Sequence, residues 1–152
     1  MVDIALSWSN ELWRGDWSLN DAGSLADGND LETAVLLSLF TDRTALPDDV
    51  IPDDGTIRGY WADTYRQYPL GSRLWLLWRE KQTETTRRRA EEYARESLQW
   101  LVQCGAATAA TASAAWIERG WLELTTEITA PSGLRRVWKY PIPWAQMGAG
   151  GA

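Results

Sequence analysis

The period of the apolar residues changes twice along this chain, and that order of periods restricts the folds open to it. At the start Ile4, Leu6 and Trp8 alternate with Asp3, Ala5 and Ser7, the period of two of a half-buried strand. Trp17 and Leu19, set against Asp16 and Ser18, read as a second short strand before the turn chemistry of 20–29. The period then becomes helical. Asp30 stands as an N-cap, and Glu32 suits the positive end of a helix in which Leu31, Ala34, Val35 and Leu39 form one stripe. Leu36, Leu37 and Phe40 cover much of the remaining circumference, so this helix is expected to be central and buried. Ser72 is placed to cap a short helix through Trp78. A longer helix is predicted from about Thr85 to Gln103, with Ala90, Tyr93, Ala94, Ser97, Leu98 and Leu101 on one face, Glu91 and Arg95 as an i,i+4 pair, and Gly105 as its stop.

After Gly105 the period of two returns. The stretch from Ala106 to Ala115 is rich in alanine, which favours helix, but Thr108, Thr111 and Ser113 after a glycine break favour an edge-like strand leading to Trp116 and Ile117. Leu122, Leu124, Thr126 and Ile128 then alternate with Trp121, Glu123, Thr125 and Glu127. Beyond the Pro131-Ser132-Gly133 turn, Leu134, Arg136, Trp138 and Tyr140 alternate with Arg135, Val137 and Lys139, and Pro141 is expected to end the ladder. The predicted class is α+β: N-terminal strands, a central buried helix with a short and a long companion, and a C-terminal three-stranded antiparallel meander. It lacks the βαβ repeats of a nucleotide-binding sheet and any Gly-rich phosphate loop, so no cofactor is expected.

A length of 152 residues suits a single domain, here placed at 1–145, with the Gly/Ala-rich tail 146–152 expected to lack fixed structure. Apolar runs fall short of the roughly 18 residues of a membrane span. With a lone Cys104 there is no internal disulfide, and a reduced cytoplasm is the expected place of folding. Histidine is absent, which removes Ser-His and Cys-His catalysis and imidazole metal ligands. A net charge of −6 opposes nucleic-acid binding, and Arg87-Arg88-Arg89 reads as a solvated helix face offset by Glu91, Glu92 and Glu96. The acidic loop 42–57 holds Asp48, Asp49, Asp53 and Asp54 but not the spacing of an EF-hand, so no metal is expected. The chain has 11 tryptophans, each with an indole N–H to satisfy, more than a core of this size readily hides; the surplus favours a protein that binds proteins.

The segments Leu31 to Arg43 (LETAVLLSLFTDR), Gly59-Tyr60-Trp61-Ala62-Asp63 and Gly71 to Lys81 (GSRLWLLWREK), with the Trp100-Leu101-Val102 helix end and the final hairpin, resemble the Mu-like phage baseplate proteins of the gene product 46 family, related to the gene product 25 and gpW baseplate-wedge family. The resemblance covers nearly the whole chain, and GSRLWLL is its most specific part. It implies a virion protein, assembled in the host cytoplasm in about six copies around the tail tube, that contacts larger wedge proteins and templates the first ring of the contractile sheath. Thr41-Asp42-Arg43 looks like a loose counterpart of the Glu-Pro-Arg signature of wedge relatives, without its proline; Asp42 and Arg43 thereby gain an interaction role, against the alternative of a helix-terminal ion pair. The family's tryptophan pair and glycine stand here as Tyr60-Trp61 and Ala62.

The candidate interaction residues are Asp42, Arg43, Tyr60, Trp61, Asp63, Arg73, Arg79, Glu80, Lys81, Thr108 and Thr111. Arg73, Arg79, Glu80 and Lys81 are read as the accessible side of a segment whose Leu74, Leu77 and Trp78 fill the core, and Thr108 and Thr111 as part of a bare strand edge open to a sheath arm. Two other classes remain open: a carboxylate-based glycosidase, which needs two carboxyl groups in one cleft, and a tail-assembly factor that never enters the particle.

Overall fold

The computed structural model describes residues 6–9, 14–17, 30–51 and 69–144. The N-terminal strands β1 (Leu6–Ser9) and β2 (Arg14–Trp17) pair antiparallel, Leu6 opposite Trp17. Helix α1 spans Asp30–Phe40 and contacts β1; a short 3-10 helix follows at Leu74–Leu77, then α2 at Glu84–Gln103. The meander consists of β3 (Ala109–Glu118), β4 (Trp121–Thr129) and β5 (Arg135–Pro143), in the order β3-β4-β5. The class is α+β.

Alternation makes the sheet two-faced. Leu122, Leu124, Thr126 and Ile128 of β4 are fully buried, and Tyr140 and Ile142 of β5 and Ala110, Ala112 and Ala114 of β3 join them on the inner face. Burying each large aliphatic side chain contributes roughly 1.5–3 kcal/mol. The β3 alanines are small, which lets α2 lie close along the strand with Ala90, Ala94, Leu98 and Leu101 inward. Helix α1 adds Val35, Leu36 and Leu39, and its Phe40 meets Tyr140 edge to face at 5.8 Å. One turn of α1 is less enclosed than its composition predicts: Leu37 is 39% exposed.

Several boundaries differ from the sequence reading: β2 lies at Arg14–Trp17 rather than around Asp16 to Leu19, and β3 begins at Ala109 and not Ala106. The N-cap of α2 is Thr83, whose hydroxyl accepts the Thr86 N–H at 3.2 Å, so the helix starts at Glu84. The short helix is a single 3-10 turn preceded by Arg73. Ser72 does not occupy its cap position; its hydroxyl donates to the Leu39 carbonyl at 2.6 Å and accepts the Leu74 N–H at 3.4 Å. Pro141 does not end the ladder, because β5 continues to Pro143 with Pro141 opposite Glu123. An edge strand has one side that needs no donor, and prolines two residues apart place both ring nitrogens on that side.

The tryptophans act as pins between elements. Trp75 donates its indole N–H to the Arg43 carbonyl at 2.8 Å, Trp100 to the Ser38 hydroxyl at 2.8 Å, Trp116 to the Thr83 carbonyl at 3.1 Å and Trp144 to the Glu80 carbonyl at 3.0 Å. Trp144 also meets Trp78 at 5.1 Å and Trp116 at 5.3 Å, both edge to face. Every tryptophan with a described side chain is buried or half-buried, so much of the expected surplus is spent inside the molecule. Asp30, read from the sequence as the N-cap, is instead the first residue of α1, while Tyr60, Trp61, Asp63 and the tail 146–152 lie outside the described residues.

Candidate protein-interaction surface

The segment from Gly71 to Leu77 is threaded beneath the end of α1. Ser72 and Asp42 form a parallel bridge, with Ser72 N–H donating to the Thr41 carbonyl at 2.8 Å and Arg43 N–H to the Ser72 carbonyl at 2.9 Å. Gly71 permits this approach. Its φ is +100°, and a Cβ there would lie 2.9 Å from the Thr41 carbonyl carbon and closer still to its oxygen.

Arg73 then becomes a hub. Its Nη1 meets Asp49 Oδ1 at 2.8 Å, its Nε meets Glu96 Oε2 at 3.0 Å, and its guanidinium lies 4.3 Å above the Tyr93 ring. Burial alone would lower the pKa of Arg73, but the hydrogen bonds and charges of Glu96 and Asp49 overcome it and raise the net value. Asp49 Oδ2 accepts the Leu46 N–H at 2.7 Å, so both carboxylate oxygens serve the loop's own structure. Among the described residues no cluster of three metal-ligating side chains forms. Arg43 donates to the Pro69 carbonyl at 3.2 Å and pairs with Glu96 at 3.6 Å.

These contacts correct part of the sequence reading. Arg73 is not partner-facing: its side chain is 11% exposed. Arg43, at 15%, is tied to Pro69 and to Glu96 of α2, which favours the intramolecular ion pair over a presented contact, although the partner lies on α2 and not on its own helix. Asp42 is half-buried at the bridge to Ser72. Arg79, Glu80 and Lys81 are exposed as expected, beside the Trp78, Trp116 and Trp144 cluster. Sequence reasoning missed Asp49, Glu96 and Tyr93, because the only signal was charge and Arg73 finds its acids 24 and 23 residues away.

The bare edge expected on β3 is covered. Glu91 Oε2 accepts the Ala114 N–H at 3.1 Å, Arg87 donates to the Ala114 carbonyl at 2.9 Å, and Arg95 reaches the Ala112 carbonyl at 3.5 Å. The guard comes from α2, which packs alongside, and so was invisible in the composition of the strand. Arg87 is therefore more than a solvated residue. Thr108 and Thr111 are exposed by side chain, but Thr108 donates its N–H to the Thr129 carbonyl at 2.8 Å. Ladder alternation, with the Ala112 and Ala114 backbone groups turned away from β4, turns the Thr111 backbone toward β4 as well. A proline at either position would break the sheet itself.

An open groove of about 220 Å³ lies between Arg43, Pro69, Glu96, Gln99, Trp100 and Gln103. That volume is under the roughly 300–1,000 Å³ of small-molecule sites, and among the described residues Glu96 is its one lining carboxylate, where glycosidic cleavage needs two. The polar clusters described so far are thus internal clamps. The accessible features are the charged 79–81 corner and the outer face and far edge of the meander.

Comparison with known proteins bears on which of these matter. The family model described as Phage protein GP46 matches residues 31–135, from the start of α1 to the first residue of β5. Baseplate protein gp46 of Escherichia phage Mu is 46% identical over 134 residues, 88% of this chain and 90% of that protein. The Mu-like prophage FluMu protein gp46 of Haemophilus influenzae is 35% identical over 134 residues, with the same coverage of both.

Proposed function

Because the chain belongs to the Phage protein GP46 family, we propose that it is a structural component of a Mu-like phage baseplate, residing in the tail of the virion. The observation that carries this reading is the 46% identity to the Mu baseplate protein over 88% of the chain, and the family match over residues 31–135 takes in the Gly71 to Leu77 segment, β3 and β4. In finer terms, it joins the larger wedge proteins to the tail tube and gives the first sheath ring its template, in about six copies per baseplate. The contacts for this come from the exposed corner Arg79-Glu80-Lys81 and the outer side of the sheet, with Tyr60, Trp61 and Asp63 as further partner-facing residues.

The role is non-catalytic. Among the described residues Asp49 and Glu96 are carboxylates brought together, and both are bound to one guanidinium, an arrangement that spends them on the fold. Quantitative mass spectrometry of purified particles tests the proposal: the protein should be present at a fixed ratio to the wedge and tube proteins. Its absence from finished particles would instead make it an assembly factor. A cell-wall turbidity assay on the purified protein is expected to show no lysis.

A further inference from the structure

A further accessible feature is apolar, and it lies in the loop after α1. Past the bridge at Asp42 the chain makes one tight turn that is fastened from inside. Asp49 donates its N–H to the Leu46 carbonyl at 3.0 Å, and its Oδ2 accepts the Leu46 N–H at 2.7 Å, so the two ends of the turn are tied in both directions. Pro47 takes the second position, where its fixed φ suits the bend. Asp49 Oδ1 is held in turn by Arg73 Nη1 at 2.8 Å, and Arg73 by Glu96 of α2 at 3.0 Å. The aliphatic side chains at the ends of this turn nevertheless face solvent: Leu46 is 47% exposed and Val50 81%, the highest value among the large apolar side chains described. Scattered aliphatic residues on a surface need no explanation, but these two bracket a turn whose fastening draws on three separate parts of the chain.

We infer that Leu46, Asp48 and Val50 form a docking epitope that enters an apolar pocket rimmed by Lys or Arg on a different protein. The two aliphatic side chains supply the area to be desolvated, and the fastened turn holds them in place before any partner arrives, so little ordering is left to offset the gain. Charge selects the occupant. Asp49 is neutralised by Arg73, whereas Asp48 is exposed between the two aliphatic residues, and among the described residues no cation meets it. Asp53 and Asp54 follow in the sequence, and from Thr44 to Ile57 there is no basic residue. The loop of a second copy would set Asp48 against Asp48, and an anionic lipid surface would repel the same charge. A basic rim around an apolar pocket satisfies both the carboxylate and the aliphatic pair.

The test uses the full chain in cells producing the phage, with the photo-cross-linker p-benzoylphenylalanine in place of Val50, and finished particles and the unassembled fraction are read separately by mass spectrometry. After irradiation one partner polypeptide should be attached, through a segment that sets Lys or Arg beside aliphatic residues. Asp48→Lys should lower the adduct yield at least about tenfold, and replacing the partner's basic residue by Glu should restore it. Leu46→Ser should lower the yield about tenfold as well. Both side chains are exposed, so both variants should keep the parent's urea transition, which separates lost docking from lost folding. Adducts only to further copies of this chain, an attached segment without basic residues, a yield unchanged in Asp48→Lys, no restoration by the partner's Glu, or no adduct in either fraction would overturn the proposal. A chain present in particles at a fixed ratio but without adduct overturns it and leaves the baseplate reading standing. The expected adduct on a chain that never enters particles upholds it and overturns that reading instead.

Discussion

The guanidinium of Arg73 gathers the loop after α1, the 3-10 turn and α2 at one point, and its planar fork suits two carboxylates at once in a way an ammonium does not. Removing it leaves Asp49, 9% exposed, without its cation. Arg73→Ala is therefore expected to lose about 3 kcal/mol of unfolding free energy in urea, the low end for breaking a buried pair, and Arg73→Lys to recover only part of it. Glu32 gives a test of the opposite sign. Burial raises its pKa above 4.5, and Arg136 only partly offsets this, so the proton is held more tightly in the folded chain. The associated stability is complete below the unfolded value and is lost as pH rises through the folded one. Glu32→Gln should accordingly be more stable than the parent at neutral pH, with a difference that grows from about pH 4 upward and then levels off in denaturant titrations.

Elements whose burial follows a period were legible in the sequence, and those fixed by a long-range partner were not. The stripe Leu122, Leu124, Thr126 and Ile128 and the Ala90 to Leu101 face of α2 are buried as their spacing demands, because solvent exclusion acts on every residue of a face alike. Charges carry no such period. Glu91 pairs with Arg95 at 3.2 Å as an i,i+4 pair should, yet its more consequential contact is to Ala114, on a strand whose distance from the helix no local pattern encodes. The same limit hid the pinning role of the indoles and led Pro141 to be read as a strand end, since which strand lies at the edge is a property of the sheet. A prediction follows for the guard on β3. Glu91→Ala deprives the Ala114 N–H of its acceptor and Arg87 of a partner, so it should cost about 1.5–3 kcal/mol, the range for a hydrogen bond to a charged group. Together with Arg87→Ala it should open the β3 edge and produce concentration-dependent association in light scattering, where the parent shows none.

For the whole molecule, the division between inward and outward charge determines what assembly can use. The parent surface is acidic, lacks any heptad seam, and its guarded β3 and basic β5 edges both resist self-pairing, so the isolated protein should remain monomeric at micromolar concentration and take its ring symmetry from the wedge and tube. Arg73 and Arg43 are spent on holding the fold, whereas Arg79 and Lys81 are exposed at a corner stiffened by Trp78, Trp116 and Trp144. An aromatic base beneath exposed charges is where a partner can gain contacts without the host reorganising. Reversing the exposed charge of Lys81, in Lys81→Glu, should leave the urea transition within about 0.5 kcal/mol of the parent, as for surface changes away from special features. It should nevertheless reduce incorporation into particles in a complementation assay. Arg73→Ala should lower stability and incorporation together. If the corner variant assembles at the parent's stoichiometry, the partner contacts lie elsewhere, and the outer sheet face becomes the surface to substitute next.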